Sequence, residues 1–248
     1  IKKNDSIFLT TNIALLGLPK TNKKNHLKIK CEWVLKALKK IVGKKGNIFV
    51  PTYSYSFDSK KLNTFTIYKT KSKIGYFPNF FLNQKKIIRN IDPMISVSGI
   101  GPLAKNILLN ASRTSYGKDC VFERFLKIKN LKSLTIGLGI NWIPFIHYLD
   151  WLNKVPFRYD KYFKGYIKQK QKQKFLIKWH YPVRYLKHKS SISDGYKLGK
   201  KAYTKGMFEE AKIGRGKIYC IDYKNYFNFC KKKSKFNKWI TANGNKKL

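Results

Sequence analysis

The stretch "SLTIGLGINWIPFIHYLD", from Ser133 to Asp150, reads as a strand, a loop and a helix in succession. "SLTIGLG" is a short apolar run that ends in glycines, which is typical of a buried strand and its turn. A helix from about Pro144 to Leu152 is predicted after it, because proline is tolerated in the first turn of a helix. The stretch carries no charge from Ser133 to Leu149, but it is short for a membrane span and is interrupted by Gly, Asn, Pro and His. A buried strand and a helix therefore fit it better than a membrane span.

The same alternation of strand and helix extends over residues 6–158. "SIFLTT" at 6–11 and "NIFVP" at 47–51 are predicted strands, whereas residues 57–73 resemble a loop. Between the first two strands, apolar residues recur at intervals of three and four, as on one face of an amphipathic helix. They are Leu27, Cys31, Val34, Leu38 and Ile41, and Gly43 is placed to cap the helix. We predict an α/β fold: a single domain over residues 1–248 with a central mixed β-sheet flanked by helices.

Residues 159–248 are predicted to form a C-terminal, hairpin-containing region of that domain. "YFKGYIKQKQKQKFLIKWHYPV" alternates apolar and polar residues around a Lys/Gln turn, which indicates a β-hairpin. A helix near Gly195 to Tyr203, a strand "GKIYCID" and a last helix around Tyr226 follow in the prediction.

The net charge of +42, from 54 basic and 12 acidic residues, points first to a polyanionic partner. Only six of the basic residues are arginine, the residue favoured for base readout and bidentate phosphate contacts. The lysines are spread along the whole chain, and with abundant Asn, Ile, Tyr and Phe they are typical of an AT-rich genome. A compositional origin is therefore favoured over a nucleic-acid or anionic-surface role, and an anionic small ligand stays open.

The four cysteines are not spaced as C-x-x-C, and no histidine lies near them at zinc-ligand spacing. We therefore predict no metal site and a reducing, cytoplasmic location. "SIFLTTNIALLGLP" is apolar but lacks the cleavage site of a signal peptide. No membrane span is expected, and a homodimer is compatible with the sequence.

His147 and Asp150 are three residues apart, so a helix places both on one face. A carboxylate there can fix the tautomer of the imidazole and make its other nitrogen a better base. The alternative is a half-buried histidine beside a solvated aspartate. Two further candidates are "TTNIALLG", a strand-to-loop segment that could hold phosphates, and Cys120, a thiol at a helix start. A plain connection and a buried, inert cysteine are their respective alternatives.

Several motifs, in order along residues 5–160, resemble the acyl-CoA-dependent aminoglycoside 3-N-acetyltransferase family. Its first strand ends in His-Ser-Ser-Leu, with a glycine five residues after the second serine. "TTNIALLG" matches this pattern with Thr10, Thr11 and Asn12 at the polar positions and Gly17 at the glycine. The family's "MPT" at the end of the next strand reads "VPT" at 50–52.

The family's "R-S-x-H-P-x-x-S" is matched by "RNIDPMIS". Arg89, Pro93 and Ser96 are kept, while Asp92 stands where the family has histidine. The "LLLGVG" strand of the family reads "LTIGLG" here.

The remaining motifs lead to the His–Asp pair. "SYGKDCVFERF" is similar to the family's "PFGxGSPLxRL", with Gly117 kept and Cys120 in place of serine. "T-x-x-H-x-x-E" is similar to "PFIHYLD", with His147 kept and Asp150 for glutamate, and "VPFR" ending at Arg158 follows. Residues 159–248 match the family more loosely.

The resemblance implies an acetyl-CoA donor, an amine acceptor and direct transfer without a covalent cysteine intermediate. His147 would be the general base and Asp150 the residue that orients it. Residues expected to contact the donor are Thr10, Thr11, Asn12, Gly17, Ser96, Gly117 and Cys120. Those expected to contact the acceptor are Thr52, Tyr53 and Asp92.

The net charge affects which acceptor is expected. A chain at +42 repels a polycationic aminoglycoside and attracts an anionic acceptor molecule. We therefore expect N-acylation of an amino sugar that is linked to a nucleotide, as in surface-polysaccharide synthesis. The alternative is an aminoglycoside 3-N-acetyltransferase that confers antibiotic resistance. A second alternative is a basic protein that binds nucleic acid or an anionic surface.

Overall fold

Strands and helices alternate along the chain in the computed structural model, which describes residues 1–19, 24–58, 61–168 and 173–244. The strands are β1 Ser6–Thr11, β2 Asn47–Pro51, β3 Thr64–Thr66, β4 Ile88–Arg89, β5 Val97–Ile100, β6 Leu131–Ile136, β7 Arg158–Lys168, β8 Lys174–Arg184, β9 Glu209–Ile213 and β10 Gly216–Asp222. The helices are α1 His26–Val42, α2 Tyr76–Leu82, α3 Ala104–Leu108, α4 Val121–Phe125, α5 Ile146–Leu152, α6 Tyr196–Thr204 and α7 Tyr223–Phe236. Two short 3₁₀ helices span Ile13–Leu16 and Lys189–Ser191.

The described strands form a seven-stranded mixed sheet in the order β4-β5-β2-β1-β6-β10-β9. β1 is parallel to both β2 and β6, while β5 and β10 are antiparallel to their neighbours. The carboxyl ends of β1, β2 and β6 therefore meet at one edge, which is where α/β sheets commonly bind ligands. The prediction of a central mixed sheet flanked by helices is confirmed.

The side chains of consecutive apolar residues in β1 point alternately to the two faces of the sheet, so both layers of the core receive them. Ile7 and Leu9 pack with Val34 and Leu38 of α1 on one face. Phe8 packs on the other face, against Phe125 at a ring distance of 5.3 Å. Because both faces of the sheet are covered, polar groups meet solvent at the carboxyl ends of the strands.

Helix α1 has an apolar face as predicted, but the buried residues are not the full predicted set. Cys31, Val34 and Leu38 are buried, whereas Leu27 and Ile41 are exposed at 38% and 44%. Leu35 and Val42, which the spacing did not select, are buried instead. Gly43 caps the helix as predicted, with φ of 67° and its N–H bonded to the carbonyl of Lys39.

The predicted hairpin is present as β7 and β8, which pair from Arg158–Arg184 to Lys168–Lys174. The Lys/Gln turn at 169–172 lies outside the described residues. β3 pairs in parallel with β7 and completes a second, three-stranded sheet of the described chain. The prediction of a loop over 57–73 was therefore wrong at Thr64–Thr66. β10 and β9 extend the large sheet beyond β6, so the C-terminal region contributes strands to both sheets.

The uncharged run at 133–149 is a strand, a loop and the start of a helix, as predicted. Helix α5 begins at Ile146, two residues later than Pro144. Across the described parts of the chain, no helix has the length and apolar character needed to cross a membrane.

Candidate active site

His147 lies in the first turn of α5, directly after the loop that leaves β6. The chain turns at Gly137, where φ is 71° and a Cβ would lie 2.5 Å from the carbonyl oxygen of Asn12. Glycine is required there, and the turn carries the loop back across the edge of the sheet. The side chain of His147 is 31% exposed, so a substrate can reach it.

Asp150 lies beside His147 on α5, as the three-residue spacing predicts. Its carboxylate is fully buried, and Oδ2 lies 3.5 Å from Nδ1 of His147. Thr241 Oγ1 donates to Oδ1 at 2.5 Å, and Arg158 Nε donates to Oδ2 at 2.8 Å. The carboxylate is thus held on both oxygens, and the aspartate is not the solvated neighbour of the alternative interpretation.

Arg158, at the start of β7, connects the His–Asp pair to the C-terminal region. Its Nη2 lies 2.5 Å from Nδ1 of His147 and donates to Ser193 Oγ at 2.8 Å. Its Nη1 donates to the carbonyl of Pro182 at 3.2 Å. Sequence reasoning did not select Arg158, Ser193 or Thr241 as site residues. The only signal was the motif "VPFR", which ends at Arg158.

Electrostatics keep the imidazole of His147 neutral near neutral pH. Burial lowers the pKa of His147, and the charge of Arg158 lowers it further, while Asp150 acts in the opposite direction. The ring of Tyr116 meets the imidazole edge-on, with centroids 5.8 Å apart. Burial raises the pKa of Tyr116 far above its ordinary range, so the phenol stays neutral. A neutral imidazole at a partly open position is the state that can accept a proton.

Asp92 forms a second polar centre after β4. Its Oδ1 accepts from the backbone N–H groups of Met94 and Ile95 at 2.8 and 2.9 Å. Ser115 Oγ donates to the same oxygen at 3.1 Å. Desolvation raises the pKa of Asp92 to about 6, against the lowering effect of these hydrogen bonds and of Arg89. A buried carboxylate with a perturbed pKa is a candidate for function as well as a cost to stability.

The segment that follows β2 brings two tyrosines to Asp92. Ser54 N–H and Tyr55 N–H both bond the carbonyl of Met94, at 3.1 and 2.9 Å. Burial raises the pKa of both Tyr53 and Tyr55, and the nearby carboxylate of Asp92 adds a smaller contribution in the same direction. Tyr55 has φ of 47°, a left-handed conformation that a bulky residue rarely adopts. Such strain is commonly found at functional sites, so Tyr53 and Tyr55 join Asp92 as candidates.

The carboxyl end of β1 borders a pocket of about 110 Å³. Its lining comes from β1, β2, α2 and the loop that leads from β6 to His147, and includes Thr10, Thr11, Pro51 and Trp142. Thr10 is buried, and its Oγ1 has no hydrogen-bond partner within the described chain. Thr11 is partly buried and Asn12 is exposed. Gly17 follows with φ of 80°, a conformation that favours glycine.

Thr52 and Ser96 are fully buried and belong to an internal network around Arg89. The guanidinium donates to the carbonyls of Thr52, Ile67 and Thr70 at 2.8, 2.7 and 2.6 Å. It also donates to Ser96 Oγ at 3.0 Å, and that hydroxyl donates to the carbonyl of Thr52 at 2.9 Å. Thr52 Oγ1 donates to the carbonyl of Ser96 at 3.1 Å, so both hydroxyls have partners inside the protein. The network joins the end of β2 to the segment before α2.

Cys120 precedes α4 at its N-terminus, as predicted, and is 1% exposed. Burial raises the pKa of the thiol, so a thiolate is disfavoured. Gly117 lies in the loop before it, where a Cβ would lie 2.6 Å from Cγ2 of Thr114. This geometry describes an enclosed thiol, in agreement with a reaction that uses no cysteine nucleophile.

A separate groove of about 820 Å³ lies between β8 and residues 108–113. Trp179 lines it, and its Nε1 donates to Ser115 Oγ at 2.9 Å, which in turn bonds Asp92. His147 and Asp150 are not among its lining residues. Within the described ranges, no group of three or more His, Cys, Asp or Glu side chains could hold a metal ion.

Solved structures of three aminoglycoside acetyltransferases share this fold. Sisomicin-bound AAC-VIa has a TM-score of 0.79 at 14% identity, over 95% of this chain and 93% of that one. AAC-IIIb in a binary complex with CoASH has a TM-score of 0.76 at 13% identity, over 94% and 90%. The AAC(3)-IVa apoenzyme has a TM-score of 0.72 at 14% identity, over 97% and 85%. At such identities the likeness establishes the fold alone.

The sequence itself supplies the classification. No curated protein sequence matches the chain. The model of the aminoglycoside 3-N-acetyltransferase family, in contrast, matches residues 22–235, a span that includes the His147 helix, Arg158 and the Asp92 segment. The "TTNIALLG" segment at 10–17 lies before the matched span, while the other motifs fall inside it. The family resemblance is thereby confirmed, and the chain belongs to the aminoglycoside 3-N-acetyltransferase family.

Proposed function

We propose that this chain transfers an acetyl group from acetyl-CoA to an amino group of an amino sugar, with His147 as general base. The observation that carries the proposal is a neutral, partly exposed imidazole held beside the buried carboxylate of Asp150. Membership of an N-acetyltransferase family supports the reaction class. The CoASH complex of AAC-IIIb supports the donor.

In the proposed reaction, the amine loses a proton to Nε2 of His147 and attacks the carbonyl carbon of the thioester. The C–N bond forms, the C–S bond breaks, and the sulfur of CoA takes the proton from the imidazolium. The products are an amide and CoASH, and the imidazole returns to its neutral state. Because the pKa of His147 is lowered, the ring is free to accept the first proton near neutral pH.

We assign the donor to the carboxyl end of β1. Thr10 and Thr11 line the pocket there, and the loop with Asn12 and Gly17 offers backbone N–H groups for phosphate or amide oxygens. Gly117 and Cys120 do not line this pocket, and Cys120 is buried at the start of α4. We leave Ser96 and Thr52 out of the contact set, because the hydroxyl of Ser96 accepts from Arg89 and that of Thr52 donates to the carbonyl of Ser96.

For the acceptor, the comparisons favour an aminoglycoside, since AAC-VIa is a sisomicin complex of the same fold. Asp92, with Tyr53 and Tyr55 beside it, is the group that we assign to an acceptor ammonium. A carboxylate that stays ionised above pH 6 complements that charge.

A nucleotide-linked amino sugar is the second candidate, and the net charge of +42 is the observation that favours it. Asp150 is paired with Arg158, so it adds little negative charge to attract a polycation. A diphosphate, in contrast, would be drawn towards the protein from solution.

Acceptor specificity can be measured as CoASH release with a thiol reagent, using sisomicin and a UDP-linked amino sugar in parallel. If the charge steers substrates, raising the salt lowers kcat/KM for the anionic acceptor and raises it for the cationic one. Product mass then identifies the acetylated amine. If neither acceptor releases CoASH, while the protein retards generic DNA in a salt-dependent manner, the acetyltransferase proposal fails and the basic-binding alternative is favoured.

Thr10→Val is expected to weaken binding of CoA by roughly 3- to 10-fold, equivalent to one hydrogen bond of about 1 kcal/mol. Folding should not suffer, because Oγ1 of Thr10 has no partner in the described protein to lose. Isothermal titration with CoASH measures the effect.

Thr135→Val is the matched control for that prediction. Thr135 faces Thr10 across the β1–β6 pair, and its buried Oγ1 likewise has no partner among the described residues, but it does not line the pocket. Equal losses of CoA affinity in both variants would contradict the assignment of Thr10 to the donor.

A further inference from the structure

Two opposite charges approach the same nitrogen of His147. Nη2 of Arg158 lies 2.5 Å from Nδ1, and Oδ2 of Asp150 lies 3.5 Å from it. A guanidinium can only donate hydrogen bonds, whereas an ionised carboxylate can only accept them. A bare Nδ1 suits Arg158, and a protonated Nδ1 suits Asp150, so the two contacts require different tautomers.

The shorter contact decides which tautomer this conformation holds. Because Arg158 is 1.0 Å closer to Nδ1 than Asp150 is, Nδ1 is the acceptor and the neutral ring carries its proton on Nε2. In that tautomer Nε2 is a hydrogen-bond donor. A base that acts through Nε2 needs the other form, with the proton on Nδ1 and Asp150 as its acceptor.

We propose that Arg158 is a positioning residue that selects the tautomer of His147. It holds the ring as the Nε2–H form in the free protein. The ring becomes a base when Nε2 releases its proton to water and Nδ1 takes one up from water, so that Nδ1–H donates to Asp150. The second half of this statement rests on the proposed function, in which His147 accepts the amine proton. The first half concerns the free protein alone.

The rest of the Arg158 contacts make such a switch a small movement. The guanidinium donates to Asp150, Ser193 and Pro182 independently of the imidazole, and its side chain is only 7% exposed. Losing the contact with His147 therefore does not release Arg158 into solvent. Asp150 keeps the bond from Thr241 in either state.

Of the described groups around the ring, only Arg158 and Asp150 are charged and can favour one tautomer of His147 over the other. Asp150 faces it from the same helix and Arg158 from β7. Tyr116 contacts the ring from the loop before α4, and Tyr181 of β8 packs on Tyr116 with centroids 5.6 Å apart. The pKa of each phenol is raised by burial, so both stay neutral and neither competes as an ion.

The test is an NMR measurement on the full chain with ¹⁵N-labelled histidine, in the absence of substrates. His147 is assigned by the signal that His147→Asn removes, among the four histidines of the chain. We expect a protonated Nε2 and a bare Nδ1 in the wild type. In Arg158→Gln we expect Nδ1 to become protonated and the pKa of His147 to rise, because the charge that lowers it is gone. The acidic limb of the kcat/KM profile should move to higher pH in that variant.

Arg184→Gln is the matched control, since Arg184 pairs directly opposite Arg158 in the hairpin and donates to Ser191. It should leave the tautomer and the pKa of His147 unchanged. A wild-type protein with its proton on Nδ1 would overturn the proposal without any variant, even if Arg158→Gln fails to fold. Failure of the acetyltransferase assay would refute the proposed function instead, because the tautomer is read without substrate.

Discussion

Replacing His147 by alanine is expected to lower kcat by about 10²- to 10⁴-fold, the contribution of a positioned general base. The amine would then have to lose its proton to water. Stability should change little, since the ring is 31% exposed and its main packing contact is the edge of Tyr116. CoASH release at saturating acetyl-CoA measures the loss.

The pH profile of the wild type provides an independent check on that role. Because the pKa of His147 is lowered, its imidazole stays neutral as the pH is lowered from 8 to about 6.5, the ordinary histidine value. The acidic limb of kcat/KM should therefore lie below that value. His188→Ala, at an exposed position, is the control and should retain full activity. A His147→Ala enzyme within twofold of the wild type would exclude the mechanism.

Replacing Asp92 by asparagine is expected to stabilise the protein by about 3 kcal/mol at pH 7.5. The pKa of Asp92 is raised from 3.8 to about 6, and each unit is equivalent to about 1.4 kcal/mol. At pH 7.5 the native wild type holds a buried anion that the unfolded chain would expose to water. Asparagine keeps an acceptor oxygen for Met94, Ile95 and Ser115 without the charge.

The sign of this effect fixes its pH window. Between about pH 4 and 6 the folded protein binds more protons at Asp92 than the unfolded chain does, so the free energy of unfolding falls as the pH rises. Urea unfolding at several pH values should show this slope in the wild type and its loss in Asp92→Asn.

Acceptor binding should weaken in Asp92→Asn, although the variant is more stable. If Asp92 binds an acceptor ammonium, KM for sisomicin rises while the affinity for CoASH is unchanged. Asp58→Asn is the control, because Asp58 is half exposed and pairs with Lys73 at 3.7 Å on the surface. A less stable Asp92→Asn protein, or one with an unchanged KM, would remove Asp92 from the acceptor site.

The local sequence pattern was sufficient to predict the elements whose own residues carry the apolar periodicity. The β6–α5 unit lies where its apolar run places it. The helix α1 is also where its periodicity places it, and Cys31, Val34 and Leu38 of the predicted face are buried. β3 has no such pattern, because its three residues become a strand only by pairing with β7, about a hundred positions later. Its existence is a tertiary effect.

The candidate site divides in the same way. His147 and Asp150 are neighbours on one helix turn, so their spacing predicted their proximity. Thr241 reaches Asp150 across a separation of 91 residues, and Ser193 reaches Arg158 across 35. Nothing in the local sequence marks such partners, and only the fold brings them together. The burial of Ser96 was likewise invisible, since a serine in a motif reads the same whether it contacts a ligand or an arginine inside the core.

Arg89 illustrates what a recurring motif can report. Its guanidinium donates hydrogen bonds to three backbone carbonyls and to Ser96 inside the protein, which are structural contacts. A search pattern built on Arg89, Pro93 and Ser96 would thus recognise chains that assemble this architecture, whatever they acetylate, and would retain relatives that have lost activity. Under the proposed function, position 92, enclosed by the same motif, is the one to compare when such chains are sorted by substrate.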